Sequence, residues 1–503
     1  MSLRITNLED LIGRTLVFGI PGTRVRPEDV RLFQETRAAG LILYRINFVS
    51  PAQIRRLIKD LEEGIGRRLL VTVDHEGGRV VMFGGGATVF PDNLAFGEGG
   101  GAADAAAQGG IEGRELRRLG VDVNFAPTVD VLTAAYSPNI GIRSYGRDPK
   151  RVAALAASRI RAMQAEGVSA CAKHFPGLGP ATLDPHLELP IIDCAWRDVR
   201  KCHLVPFEAA IRAGVDLVMS SHPIYPKLDR SRIPATFSRK LIDGLLRREM
   251  GFQGVVASDD LEMGALKHFG GAAVSAIRAA RAGHDLILCC HRADLQRRVF
   301  RGLRNAYENG DLDVRDLEAS VERIEKLRVW KNPRFAPGAP RPEPEGDALA
   351  RRVSRRTVSV HGRLELSRAK SLCVVFARLS EVAGKIFVEK ELLDEKAFLG
   401  KALSRFRGKK DLRIVPLNPE PEDVKKALAA ARGSVATLFF CYEAHMMPGC
   451  RELLDTLQNE INNLTVVLLR TPYDQDFVRP SIPTVTAYGY RKCQILACIE
   501  KIV

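Results

Sequence analysis

Charged side chains follow several short apolar runs in the first 290 residues of this 503-residue chain. Asp74 ends the run LLVTVD, Lys173 and His174 lie near the end of VSACAKHF, and Asp259 and Asp260 end GVVASDD. Two carboxylates facing one cavity can divide the hydrolysis of a glycosidic bond, one as nucleophile while a second group protonates the leaving oxygen. A lone Asp after a strand more often caps a helix. A catalytic role is therefore favoured only because several strand ends with polar side chains converge.

The two neighbouring carboxylates of GVVASDD have different expected tasks. Asp259 directly follows a buried run that would hold its side chain rigidly, whereas Asp260 precedes LEMGAL and can cap a helix there. We therefore interpret Asp259 as the better candidate nucleophile. The acid is sought on the loop KHFPGLGPATLDPHLELP (173–190), which carries Asp184 and His186 two residues apart. An Asp beside a His can fix its tautomer and tune its pKa, although such a turn is more often only a turn.

The elements that must position these residues are eight apolar runs, each followed by polar residues and then a helical pattern. Runs without polar alternation suit strands buried on both faces of a parallel sheet, and the segments between them are long enough for crossover helices. Eight such units within 330 residues predict an α/β fold with an N-terminal (β/α)8 TIM-type barrel, whose active site forms at the carboxyl ends of the strands. The runs are residues 15–20, 40–44, 69–74, 121–127, 168–175, 215–222, 254–260 and 285–291.

The stretch NPRFAPGAPRPEPEG contains five prolines and can continue neither a helix nor a strand. We predict a catalytic barrel over residues 1–331, a semi-rigid linker over 332–346 and a smaller C-terminal α/β sandwich domain over 347–503. Apolar runs in the last of these indicate a mostly parallel sheet. They are residues 371–377, 412–417, 435–442 and 464–470.

Composition narrows the class of protein. The net charge of +15 is spread along the chain without a basic and aromatic stripe, so we expect no nucleic-acid partner. No apolar stretch reaches 18 residues, and the opening segment lacks the regions of a signal peptide, so we expect no membrane partner. The ten cysteines form no CxxC pair, which favours reduced thiols and a cytoplasmic location.

Neither a cofactor nor a metal is expected. His75, His174, His186 and His222 are scattered over separate loops without a paired ligand motif, and Lys173 beside them would repel a cation. A carbohydrate is the expected partner, bound by a monomer or a homodimer.

Seven segments together resemble, in order and at familiar spacing, the signatures of glycoside hydrolase family 3. The pair KHFPG and D-x-H, with SDD rather than SDW, is similar to the bacterial β-N-acetylglucosaminidase (β-N-acetylhexosaminidase) branch of that family. The C-terminal part resembles, more weakly, the α/β sandwich that follows the barrel in many members. The segments are VDHEGGRV (73–80), VDVNFAPTVDV (121–131), IGIRSYGRD (140–148), KHFPGLG (173–179), DPH (184–186), VMSSHPIYP (218–226) and GFQGVVASDDLEM (251–263).

The resemblance implies a retaining mechanism acting on terminal β-N-acetylglucosaminides, such as those derived from peptidoglycan. Asp259 would be the nucleophile, His186 the general acid/base and Asp184 its dyad partner. A fork-shaped guanidinium, an ammonium group and a carboxylate can satisfy ring hydroxyls in a buried cavity. The residues that would hold those hydroxyls are Asp74, Arg143, Lys173 and His174.

Three positions depart from the family pattern. Leu178 and Pro180 replace a His and an Asp of KHFPGHGD, and Pro185 replaces the Ser of D-S-H. Because proline restricts its own φ and the preceding residue, the loop that carries His186 is expected to be stiffer or differently placed. Two alternatives stay open. One is a β-glucosidase or β-xylosidase of the same family with its acid on the second domain, and the other is a sugar-binding protein that has lost turnover through this loop.

Overall fold

The computed structural model describes residues 7–503, apart from residues 186, 365, 367 and 368 and the side chain of residue 328. Contacts group them into two compact units. The first comprises the chain up to Glu76, residues 85–88 and residues 102–344, and the second comprises residues 77–84, 89–101 and 345–503. The boundaries 1–331, 332–346 and 347–503 stay predictions. The grouping adds that two segments between the third and fourth strands pack with the C-terminal unit.

Eight parallel strands of the first unit pair in the order β7-β6-β5-β4-β3-β2-β1-β8. A parallel bridge between Ala257 and Leu286 brings the two ends of this sheet together. The predicted (β/α)8 barrel is thereby confirmed, and each strand lies within one of the predicted runs. The strands are β1 Leu16–Gly19, β2 Gly40–Leu43, β3 Leu70–Val73, β4 Val123–Asn124, β5 Ser169–Phe175, β6 Leu217–Ser220, β7 Val255–Ala257 and β8 Ile287–Cys289.

Apolar side chains of these strands fill the barrel. Val17, Ile42 and Leu70 pack in one buried cluster with Val329, which follows the last helix of this unit. Arg68, just before β3, donates to the carbonyl of Val329 at 3.1 Å. The segment around Val329 therefore covers the amino-terminal end of the strands, and the carboxyl end remains for a site.

Local sequence explains how the crossover helices begin and end. Before α3, the Ser50 hydroxyl accepts the amide of Gln53 at 3.2 Å, and Gly66 ends the helix with φ +73°. The helices up to residue 325, of which α4 belongs to the second unit, are α1 Leu8–Arg14, α2 Pro27–Thr36, α3 Pro51–Ile65, α4 Asn93–Gly99, α5 Ala102–Leu119, α6 Pro149–Ala165, α7 Trp196–Asp198, α8 Val205–Arg212, α9 Gly271–Ala282, α10 Ala293–Glu308 and α11 Val314–Glu325. A π-helix covers Lys240–Glu249.

The proline-rich stretch is tied to the first unit by ion pairs. Arg334 donates to Asp122 at 2.5 Å and to the carbonyl of Gly120 at 2.6 Å. Glu343 accepts from Arg114 at 2.6 Å. Residues 332–344 therefore pack against the barrel rather than extending into solvent.

The second unit contains a six-stranded sheet in the order β11-β10-β12-β13-β14-β9, parallel except for the β14–β9 pair. The predicted mostly parallel α/β sheet is confirmed, although β9 and β14, with three residues each, escaped prediction. Among the described residues, no helix has both the length and the apolar character needed to cross a membrane. The strands are β9 Ser359–His361, β10 Ser371–Ala377, β11 Lys409–Val415, β12 Ala436–Tyr442, β13 Leu464–Leu469 and β14 Thr484–Thr486; the helices are α12 Pro344–Thr357, α13 Glu395–Ala402, α14 Pro421–Arg432, α15 Pro448–Glu460 and α16 Lys492–Ile502.

Candidate active site

A buried lysine joins two carboxylates at the carboxyl ends of β3 and β5. Lys173 Nζ donates to Asp74 Oδ1 at 2.5 Å and to Glu76 Oε1 at 2.7 Å. Lys173 and Glu76 are almost fully buried, whereas the Asp74 side chain keeps 21% of its surface exposed. Because a buried charge is tolerated only with close partners of opposite sign, the three groups fix one another.

Arg143 and His174 extend this cluster. Arg143 donates from Nε and Nη2 to the two carboxylate oxygens of Glu76, at 2.9 and 2.7 Å. Its Nη2 lies 3.4 Å from His174 Nε2, and His174 Nδ1 lies 2.7 Å from Asp130 Oδ2. The carboxylate of Asp130 favours a proton on Nδ1 and so orients the ring. All four residues predicted to hold sugar hydroxyls belong to one bonded network that also contains Glu76. We call this network of five residues the charged wall: Asp74, Glu76, Arg143, Lys173 and His174.

Within the charged wall, opposite charges offset the effect of burial on the pKa of Glu76 and of Lys173. Burial alone would raise the pKa of Glu76, but Arg143 and Lys173 outweigh burial and hold it well below its usual value. Burial lowers the pKa of Lys173, and the carboxylates of Asp74 and Glu76 reverse this and raise it. For Asp74, burial raises the pKa, Lys173 opposes the rise, and the charges of Glu76 and Asp259 add to it. The wall therefore offers both charged donors and charged acceptors to a polar ligand.

The carboxylates of Asp259 and Asp260, after β7, make different hydrogen bonds. Asp260 Oδ1 accepts the amides of Glu262 at 3.1 Å and Cys290 at 3.2 Å, so this carboxylate holds the backbone of a turn. Asp259 is half-buried, and its Oδ1 accepts the amide of Asp260 at 2.9 Å. The effect of its charge on the pKa of Asp74 indicates that Asp259 lies near the charged wall.

The loop of residues 178–191, which we call the dyad loop, reaches the same region. Asn139 donates to Asp184 Oδ1 at 2.7 Å, and the Asn139 side-chain oxygen accepts from Arg143 Nη1 at 2.5 Å. The carbonyl of Pro185 accepts the amide of Ala265, on the loop after β7, at 3.1 Å. Asp184 is thus connected to the charged wall and its neighbour to the Asp259 loop. The remaining dyad residue, His186, lies outside the described residues.

Comparison with known proteins identifies the family. The glycosyl hydrolase family 3 N-terminal domain matches residues 7–327. The chain belongs to glycosyl hydrolase family 3. The predicted family, barrel fold and enzyme class are thereby confirmed, and this chain is a glycoside hydrolase.

Two curated relatives and one solved structure resemble this family 3 enzyme. A beta-hexosaminidase of Xylella fastidiosa is 38% identical over 282 residues, which are 55% of this chain and 83% of that protein. A beta-hexosaminidase of Thioalkalivibrio sulfidiphilus is 37% identical over 294 residues, 57% of this chain and 84% of the relative. The structure of a family 3 β-N-acetylglucosaminidase from a Paenibacillus species matches with a TM-score of 0.91 and 30% identity, covering 99% of this chain and 96% of that one.

Some residues of the family 3 site had not been assigned roles from the sequence. Glu76, Asp130 and Asn139 are the partners that hold Arg143 and His174 in place. The signal was present, because a buried Arg and Lys require acidic partners and VDHEGGRV carries a second carboxylate two positions after Asp74. Within the part of the chain that the structure describes, no group of three His, Cys, Asp or Glu side chains could hold a metal ion.

Proposed function

We propose that this family 3 enzyme is a retaining, exo-acting β-N-acetylhexosaminidase that releases terminal N-acetylglucosamine from β-glycosides. One observation carries the proposal: a half-buried Asp259 follows β7 close to a wall of paired charges that can hold sugar hydroxyls. The names of the beta-hexosaminidase relatives and of the Paenibacillus enzyme support N-acetylglucosamine as the sugar.

The proposed reaction has two displacements. In the first, an Asp259 oxygen attacks the anomeric carbon, the bond to the leaving oxygen breaks with its electron pair, and protonated His186 gives that oxygen a proton. In the second, neutral His186 takes a proton from water, whose oxygen attacks the anomeric carbon and frees Asp259. The link from Asp184 through Asn139 to the charged wall supports a dyad loop that acts beside this wall.

The natural substrate and its location are part of the same proposal. We propose that the substrate is N-acetylglucosamine joined to a peptidoglycan-derived fragment, and that the enzyme hydrolyses it in the cytoplasm. All ten cysteines are free thiols in the structure, which supports a reducing compartment.

The test compares the two adjacent carboxylates after β7. Chromogenic β-N-acetylglucosaminide and β-glucoside are offered to the native enzyme, to Asp259→Asn and to Asp260→Asn. We expect the N-acetylglucosaminide to be cleaved faster, and Asp259→Asn to lower kcat by about 10³-fold or more because the nucleophile is lost. Asp260→Asn is the matched control, since the carbonyl oxygen of the amide can still accept the two backbone bonds.

Each alternative has its own outcome. If Asp259→Asn retains more than about 5% of the native kcat, Asp259 is not the nucleophile. A preference for the glucoside favours the β-glucosidase alternative, and binding of N-acetylglucosamine without turnover favours the sugar-binding one.

A further inference from the structure

A buried arginine of the second unit holds the segment that continues directly from the charged wall. Arg491, just before α16, is fully buried. Its Nε donates to the carbonyl of Gly78 at 2.8 Å, and its Nη1 donates to the carbonyl of Phe387 at 2.7 Å and to Glu389 Oε2 at 3.0 Å. A guanidinium with such fixed partners is a rigid anchor for Gly78.

The segment around Gly78 is held from its other side as well. The amide of Gly78 donates to the carbonyl of Phe90 at 2.9 Å, and the amide of Arg79 donates to Asp92 Oδ1 at 2.6 Å. Gly78 has φ +48°, and a Cβ there would lie 2.1 Å from Asp92 Oδ1. Burial raises the pKa of Asp92 to about 6, and the charge of Arg491 opposes the rise most strongly. The backbone at Gly78 therefore has little freedom.

The strand ends near Arg491 carry strained backbone. Glu443, Arg470 and Tyr488, which follow β12, β13 and β14, have φ of +51°, +69° and +53°. Residues other than glycine adopt this left-handed backbone conformation only at an energetic cost, which the surrounding structure must offset. Such strained residues are concentrated at functional sites. In α/β sheets the carboxyl strand ends are also where ligands are commonly bound. At this edge of the second unit, Arg470 pairs with Glu443, so two of these strand ends are held together.

We propose that Arg491 is a positioning residue for Glu76 and, through it, for the charged wall. Only Gly77 separates Glu76 from Gly78, so their Cα atoms are never more than about 7 Å apart. A displacement of Gly78 therefore reaches Glu76, whose carboxylate holds both Arg143 and Lys173. On the barrel side, Arg159 Nη2 donates to the carbonyl of Glu76 at 2.7 Å. The inference rests on the proposed function only for its effect on catalysis.

The test uses the full-length enzyme with Arg491→Met and Arg491→Lys. Leu457→Ala is the control, because it weakens the core of the second unit without touching Gly78. Hydrogen exchange of the peptide covering residues 74–80 is measured together with kcat and KM for a chromogenic N-acetylglucosaminide. We expect Arg491→Met to exchange faster in this peptide and to lose roughly 10–100-fold in kcat/KM, partly through a higher KM. Arg491→Lys, which keeps the charge but not the fork, should lie between Arg491→Met and native.

The opposite result is distinct. If both Arg491 variants keep native exchange in residues 74–80 and native kcat/KM per folded molecule, Arg491 only stabilises its own unit and the proposal is wrong. If Arg491→Met does not fold, Arg491→Lys decides by the same two measurements. If the native enzyme cleaves no glycoside, the proposed function fails, and the exchange measurement alone still decides whether Arg491 fixes this segment.

Discussion

The charged wall and the dyad loop are joined through Asn139 but are held by different means. In the wall, Lys173 and Arg143 each contact two or more polar partners, and most of these charges are buried. Backbone bonds also fasten the dyad loop, for example where the amide of Ile224 donates to the carbonyl of Pro190 at 3.0 Å. Its side chains Leu183 and Leu187 are 43% and 70% exposed.

This difference separates stability from catalysis. Buried charges that depend on one another cannot be changed singly without leaving a partner unpaired. Exposed loop side chains carry little folding energy, so the loop can vary while the fold persists. Changes in the wall should therefore strongly destabilise the enzyme, whereas changes in the loop should alter the reaction rate with little loss of stability.

Among the variants that compare the loop with the wall, the largest effect is expected for His186→Ala, measured on substrates with different leaving groups. Loss of a general acid should reduce kcat/KM for an alkyl N-acetylglucosaminide by roughly 10²–10⁴-fold, and for a nitrophenyl one much less, because that leaving group needs little protonation. The unfolding temperature should stay native. His361→Ala, an exposed histidine on β9, is the control. Equal losses of kcat/KM on both substrates would show that His186 is not the general acid.

Lys173→Met tests the wall directly. The substitution leaves Asp74 and Glu76 without their shared cation, and we expect the free energy of unfolding to fall by about 3–5 kcal/mol together with kcat/KM. Urea unfolding and steady-state kinetics measure the two effects. Lys326→Met is the matched control, because its pair with Glu322 at 2.6 Å is 70% and 66% exposed and should leave unfolding unchanged. A similar result for both lysines would contradict the comparison.

The pH dependence of stability gives a third, smaller effect. Burial raises the pKa of Glu76, but Arg143 and Lys173 lower it by more, so the folded pKa lies well below the unfolded value of 4.5. Such a carboxylate stabilises the fold above pH 4.5, and this contribution is lost as the pH falls through its folded pKa. Urea unfolding across this range should show a shallower acid decline for Glu76→Gln than for native. The exposed Glu318→Gln should follow the native curve.

Pro185→Ser should have the smallest effect. Its carbonyl can still accept the amide of Ala265, while a more flexible unfolded chain lowers the free energy of unfolding by about 0.4–1 kcal/mol. We expect kcat/KM to change by less than about tenfold for an alkyl substrate, and less again for a nitrophenyl substrate, since only proton transfer depends on this loop. A fall in the free energy of unfolding as large as that of Lys173→Met would show that the dyad loop also stabilises the charged wall.

The sequence was sufficient for the barrel because its signal is repeated and apolar. Even β4, with only Val123 and Asn124 paired as a strand, lies inside a recognisable run. In the second unit, β9 and β14 have only three residues each, and β9 is partly exposed. Neither strand therefore forms an apolar run that the sequence pattern can reveal. The grouping of residues 77–84 with the C-terminal unit could not be foreseen, because long-range contacts leave no local pattern.

For the site, strand-end position and family resemblance select four residues that lie in one hydrogen-bonded network, and the structure adds the partners of these residues. The structure joins Asp74, Arg143, Lys173 and His174 in one network, whereas their role in holding a sugar and the catalytic roles of Asp259, Asp184 and His186 stay predictions. The sequence does not single out Glu76 as the residue that holds both Arg143 and Lys173. Asp74, two positions earlier, also carries a carboxylate, and only burial distinguishes the two.

The bond between Arg491 and Gly78 has a consequence for how the chain is made. The two residues are 413 positions apart in the chain. At about 5–20 residues per second, Gly78 is synthesised roughly 20–80 seconds before its anchor. During translation, the strands up to β8 can therefore assemble while the segment beside Glu76 still waits for its partner. If Arg491 positions Glu76 as proposed, glycosidase activity should mature only after Arg491 has been released.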